Sequence, residues 1–148
     1  MSRAPNSTQI LLEYLREAFE GYRGGEPLVS GQGPEERLGL SGMTAVGLFA
    51  DLARTGLIEQ AEVIGAFPMY RLTLSGLRLM ESVDEQAAAL ASTGQIPPGR
   101  QPALVRRLGE KALEVVLSAA AKVGIERAVD TIDWSAIRTS LRDWLSGG

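Results

Sequence analysis

Apolar residues recur at helical spacing along the first twenty residues. Leu11, Leu15, Ala18, Phe19 and Tyr22 share one face with Leu12 at its edge, while Glu13, Arg16, Glu17 and Glu20 take the other side. Asn6, followed three positions later by Gln9, resembles a capping box, so the pattern predicts a first helix over Ser7 to Tyr22. Gly21, Gly24 and Gly25 disfavour its continuation. Leu28 and Val29, set between glycines, predict a short strand, and Pro34 to Leu40 predicts a short second helix with Pro34 in its first turn. Gly42 to Thr55 reads as a third helix closed by Gly56 in a left-handed C-cap. Leu57 to Ile64 is extended, Gly65 to Pro68 turns, and Met69 to Leu72 returns. Thr73 is placed to cap a helix from Leu74 or Ser75 to about Ala91. Gly76, Met80, Val83, Ala87 and Leu90 follow one another there at four-and-three spacing, the seam of a helix-packing surface.

The pattern then breaks. Ser92 to Pro102 (STGQIPPGRQP) is polar, with two glycines and three prolines, and reads as a linker. Ala103 to Val123 predicts a long helix ended by Gly124, with Leu104, Leu108, Ala112, Val115, Ala119 and Val123 on one apolar line. Val105, Leu113, Val116, Leu117 and Ala120 form a second line, so the C-terminal half of this helix is apolar on nearly all sides and needs a partner surface. Ile125 to Ile132 continues as a short helix. Asp133 is the N-cap of a last helix, Trp134 to Leu145, whose broad face holds Trp134, Ile137, Leu141, Trp144 and Leu145. The expected organisation is a domain over 6–91, a linker over 92–102 and a helical packing or oligomerisation segment over 103–148.

Two motifs carry a family resemblance. Leu52-x-x-x-Gly56-Leu57-Ile58 and Tyr70-x-Leu72-Thr73-x-x-Gly76-x-x-x-Met80, in this order behind an amphipathic first helix, resemble the recognition-helix exit and wing exit of MarR/PadR-like winged helix-turn-helix proteins. The resemblance covers about the first half of the chain. It implies a mainly α fold with a small β-hairpin wing, followed here by a C-terminal helical segment. The fold serves both DNA binding and protein contacts, so function has to come from the site.

Charge and composition narrow the field. The 148 residues carry a net charge of −3, which gives no bulk signal of a strongly cationic nucleic-acid binder. Cysteine and histidine are both absent, which removes disulfides, thiol chemistry, the usual zinc sites and imidazole catalysis together. The opening residues show no apolar signal-peptide core, and no run of about 18 uncharged apolar residues suggests a transmembrane span, so a cytoplasmic protein is expected. Gly31-Gln32-Gly33 is followed by no GK[ST], and the phosphate-loop reading fails. Glu35 and Glu36 are adjacent carboxylates on a short helix, with no nucleophile or electrophile to complete a catalytic set. No enzyme, cofactor or metal is expected.

Two functions remain. In a winged-helix DNA reader the exposed stripe of the third helix enters the major groove. Here that stripe is Thr44, Gly47, Asp51 and Arg54 or Thr55, poor in the Arg, Lys, Asn and Gln that base reading prefers. If duplex DNA is bound, Thr44, Gly47 and Arg54 lie in the groove and Arg71 and Arg78 on phosphates. The plain alternative for these arginines is pairing with Glu59, Glu62 or Glu81. The fold resemblance places a dimeric DNA-binding transcriptional regulator slightly ahead. The other reading is an adaptor of a bacterial, phage or defence system that oligomerises or binds a protein partner through its C-terminal helices. For that reading the candidate contacts are Val116, Leu117, Trp134, Ile137, Leu141 and Trp144, because about 45 residues after the linker are near the lower limit for independent folding and tryptophan is enriched as an interface anchor.

Overall fold

A computed structural model describes residues 7–25, 42–64, 67–94 and 96–145. The chain is mainly α-helical with one small antiparallel hairpin: α1 Ser7–Arg23, α2 Gly42–Thr55, β1 Ile58–Ile64, β2 Phe67–Leu72, α3 Leu74–Ala91, a 3-10 turn Pro98–Arg100, α4 Gln101–Val123, α5 Ile125–Asp130, α6 Trp134–Ser140 and α7 Arg142–Leu145. Among these helices none is long and apolar enough to cross a membrane. Asn6, the expected strand at Leu28–Val29, the expected helix at Pro34–Leu40 and the tip residues Gly65 and Ala66 lie outside the described residues. Contacts divide the chain into two compact units, Met1–Leu77 and Arg78–Gly148, and the division falls inside α3.

The first unit is built on the hairpin. α1 packs on β2 and α2, and α2 packs on β1. Its core holds Leu12, Tyr14, Leu15, Ala18, Phe19, Leu52, Leu57, Ile58 and Tyr70. The buried face of α1 is therefore turned from the expected one: Tyr14 is fully buried, whereas Tyr22 is 49% exposed in the last turn. Residue 14 lies three ahead of Leu11 and four behind Ala18, so helical spacing admits it once its phenol ring is counted as apolar.

Three devices set the hairpin. Gly56 has φ 87°, a left-handed conformation that ends α2 and that residues with a Cβ rarely adopt. The strands pair Ile58 with Leu72, Glu59 with Arg71 and Gln60 with Tyr70, then shift register between Gln60 and Glu62 before Val63 meets Pro68 and Ile64 meets Phe67. Phe67 and Pro68 thus belong to β2 and not to the turn. Both strands of a two-stranded sheet are edges, so proline has a side on which no ladder bond is required. Gly76 completes the set, since a Cβ there would lie 2.0 Å from the Leu57 carbonyl oxygen.

The second unit is organised by α4, which packs on α5 and α6. Leu104, Leu108, Gly109, Ala112, Leu113 and Val116 are its buried residues, with Ala128 and Val129 from α5 and Ile137 from α6. The expected linker is partly helical: Pro98–Arg100 is a 3-10 turn and α4 starts at Gln101, with Pro102 in its first turn. Proline is accepted there because the first-turn N–H groups have no helical partner. Asp133 caps α6 as expected, its side chain accepting from the Ala136 N–H at 3.1 Å. The expected single last helix is broken at Leu141, whose φ of −98° and ψ of 2° leave the helical region and separate α6 from α7.

Candidate functional site

Of the residues expected to meet DNA, Thr44, Gly47, Arg54 and Arg71 stand on α2 and the hairpin of the first unit, and Arg78 stands on the part of α3 that belongs to the second. α2, the third helix in the sequence reading, presents Gly47 exposed, with nothing within 4 Å of where a Cβ would stand. Thr44 is on the same helix, and its side chain lies outside the described residues. Arg54 is exposed and forms an ion pair with Asp51, one turn earlier on the same helix. Arg71 Nε donates to Glu59 Oε1 at 2.7 Å, directly across the hairpin, because residues 59 and 71 are register partners. In the second unit Arg78 Nη1 stands 3.5 Å from Asp130 Oδ1. Each of the three arginines expected to meet DNA therefore has a carboxylate beside it. Exposed pairs of this kind are worth about 0–1 kcal/mol, so they do little for stability. They do place negative charge where phosphate would have to approach.

The charge distribution runs the same way. Residues 1–77 carry nine Asp and Glu against six Arg and no Lys, and residues 78–148 carry nine acidic and nine basic side chains. The whole net charge of −3 thus lies in the part of the chain that contains α2 and the hairpin. A net negative balance of this kind gives no long-range attraction for a polyanion.

The six residues expected to contact a partner separate by burial. Val116, Ile137 and Leu141 are buried within the chain, with Val116 and Ile137 in the packing of the second unit. Leu117, Trp134 and Trp144 are half-buried. Trp144 is held by two cations: the Arg100 guanidinium stands 4.3 Å from its ring centroid and that of Arg107 at 5.2 Å. Arg100 Nη2 also donates to the Trp144 carbonyl at 3.0 Å. This ring therefore fastens α7 to the start of α4, a local role that its position near the chain's end did not suggest. Arg138 of α6 donates to Gln86 Oε1 of α3 in the same manner, tying two elements of the second unit.

The far end of α4 is the segment whose all-round apolar pattern calls for a partner surface. No residue from Leu117 to Val123 is buried, although Leu117, Ala119, Ala120, Ala121 and Val123 are all apolar. Val115 is 42% exposed and Val123 47%. Glu114, Val115, Ser118, Ala119 and Lys122 line a shallow groove of about 480 Å³ on this face. The signal was present in the all-round apolar pattern of residues 112–123. It names a helix in need of a cover, but only the structure shows which side the chain leaves uncovered. No known protein family, curated protein or solved structure matches the chain.

Proposed function

We propose that this chain is a non-enzymatic winged-helix protein that works through protein–protein contact, assembling by way of its C-terminal helices. The observation that carries the reading is the far end of α4: seven consecutive residues, five of them apolar, of which none is fully buried and Ser118, Ala121, Lys122 and Val123 are exposed. A helix apolar on nearly all sides is stable in water when something covers it. The ion-paired arginines and the acidic balance of residues 1–77 support the same reading, because they disfavour a polyanion at α2 and the hairpin.

A regulator that binds duplex DNA is the second reading. It draws on the winged-helix order of α1, α2, hairpin and α3, and on the open backbone at Gly47, which leaves room for close approach to a groove. On that reading Arg54 and Arg71 exchange their carboxylates for phosphates, and Arg78 does the same.

The two readings separate in solution. Light scattering of the full chain, at low and high salt, with and without mixed-sequence duplex DNA, is the test. A stable oligomer indifferent to DNA and to salt supports the contact reading. A species that gains mass with DNA at low salt and releases it at high salt supports the regulator.

A further inference from the structure

The uncovered face of α4 has a charge pattern that selects its own occupant. Val115, Ser118, Ala119 and Lys122 stand at i, i+3, i+4 and i+7 and so lie on one side of the helix, with Glu114 at its edge. Glu114 stands 3.9 Å from Lys111, a long and half-exposed pair. Lys122 forms no ion pair among the described residues. The face thus offers one weakly engaged acid, one unengaged base and, between them, small residues over which another helix can approach closely.

We propose that this face binds a second copy of the same chain, with the two α4 helices antiparallel about a two-fold axis at Ser118. The inference rests on the contact reading above and names its partner and geometry. Ser118 lies midway between Glu114 and Lys122 in sequence. An antiparallel pair centred there sets Glu114 of each copy level with Lys122 of the other, twice, because a two-fold interface repeats every contact. It also sets each Val115 over the Ser118–Ala121 turn of the other copy, covering apolar surface that is now open. A parallel pair fails on the same residues. Glu114 and Lys122 are then offset by about 12 Å along the axis, eight residues at roughly 1.5 Å each, and each lies level with its own like charge. Ser118 and Ala121 are exposed and Ala119 is half-buried, so the small residues around the axis are accessible.

The chain has no native cysteine, which makes single introduced cysteines clean reporters. Ser118→Cys in the full chain, under mild oxidation at micromolar concentration, is expected to cross-link to itself. Val123→Cys is expected not to, since antiparallel pairing separates the two copies of residue 123. Equal cross-linking of both variants, or of Val123→Cys alone, overturns the antiparallel arrangement. Charge exchange gives the second readout. Lys122→Glu should weaken self-association on the order of tenfold or more, because a like charge is placed against Glu114. The double variant Glu114→Lys, Lys122→Glu should restore it, which a merely misfolded variant would not do. A wild-type oligomer that ignores both the charge variants and Ser118→Cys overturns this face as the interface and leaves the contact reading standing. A wild-type chain that is monomeric throughout overturns self-association itself.

Discussion

The Thr73 hydroxyl donates to the Gly56 carbonyl at 2.5 Å and so ties the residue that follows β2 to the residue that ends α2. The same oxygen accepts from the Gly76 N–H at 3.2 Å, which makes it the N-cap of α3 as well. One side chain thus joins both ends of the hairpin to the helix that leaves it. Thr73→Val keeps the shape and removes both bonds, and should cost about 1–2 kcal/mol. Thr73→Ser should retain most of that. Urea denaturation of the two variants checks the difference, and equal losses would refute the hydroxyl's role.

Two glycines within helices should respond in opposite directions to alanine. Alanine in a helix interior is ordinarily favoured over glycine by about 0.5–1 kcal/mol. Gly47 has open space where a Cβ would go, so Gly47→Ala should stabilise by about that amount. At Gly76 the added Cβ would stand 2.0 Å from the Leu57 carbonyl oxygen, which is backbone and cannot swing away. Gly76→Ala should therefore destabilise, by roughly 1–3 kcal/mol for the shift it forces. Thermal unfolding midpoints should move up in the first variant and down in the second.

Tyr70 makes stability pH-dependent at the alkaline end. The residue is buried, and desolvation raises its pKa above the ordinary value of 10.0. A pKa raised on folding favours the folded chain below the unfolded value and loses that contribution as pH rises through the folded one. The urea midpoint should fall as pH climbs above about 10, and Tyr70→Phe should lessen that fall. A Tyr70→Phe profile that falls as steeply as wild type would count against the assignment.

The arginines separate the two functional readings residue by residue. Arg54→Ala and Arg71→Ala each remove one side of an exposed ion pair, so stability should change by only about 0.5 kcal/mol. On the contact reading neither variant alters self-association, and neither changes whatever weak retention the chain shows on duplex DNA at low salt. Weakened binding in Arg54→Ala, with a lower salt slope in Arg71→Ala, would instead favour the regulator.

Much of this fold was legible in the sequence because its boundaries depend on local chemistry. Gly56, Asp133 and Gly124 each act within a few residues of themselves, as does Thr73 in capping α3, and each stands at the element end expected of it. What was not legible depends on distant partners. Tyr14 and Tyr22 have the same side chain on the same helix, yet one is fully buried and the other half-exposed, and only the packing of α1 on β2 and α2 decides which. Trp144 stood out as an interface anchor by residue type, but the cations that hold it, Arg100 and Arg107, come from the 3-10 turn and the second turn of α4. The site was less legible still. Pairing Arg71 with Glu59 needs the strand register, and register follows from a bulge that no local motif announces.

The central claim is that this chain acts by covering the open end of α4 with protein, and the mass of the full chain in solution tests it most directly. Sedimentation equilibrium over a range of concentrations, repeated with mixed duplex DNA at low salt, should show a self-associated species whose mass DNA leaves unchanged. A monomer at every concentration, or a complex that forms only with DNA and dissociates at high salt, would contradict the account.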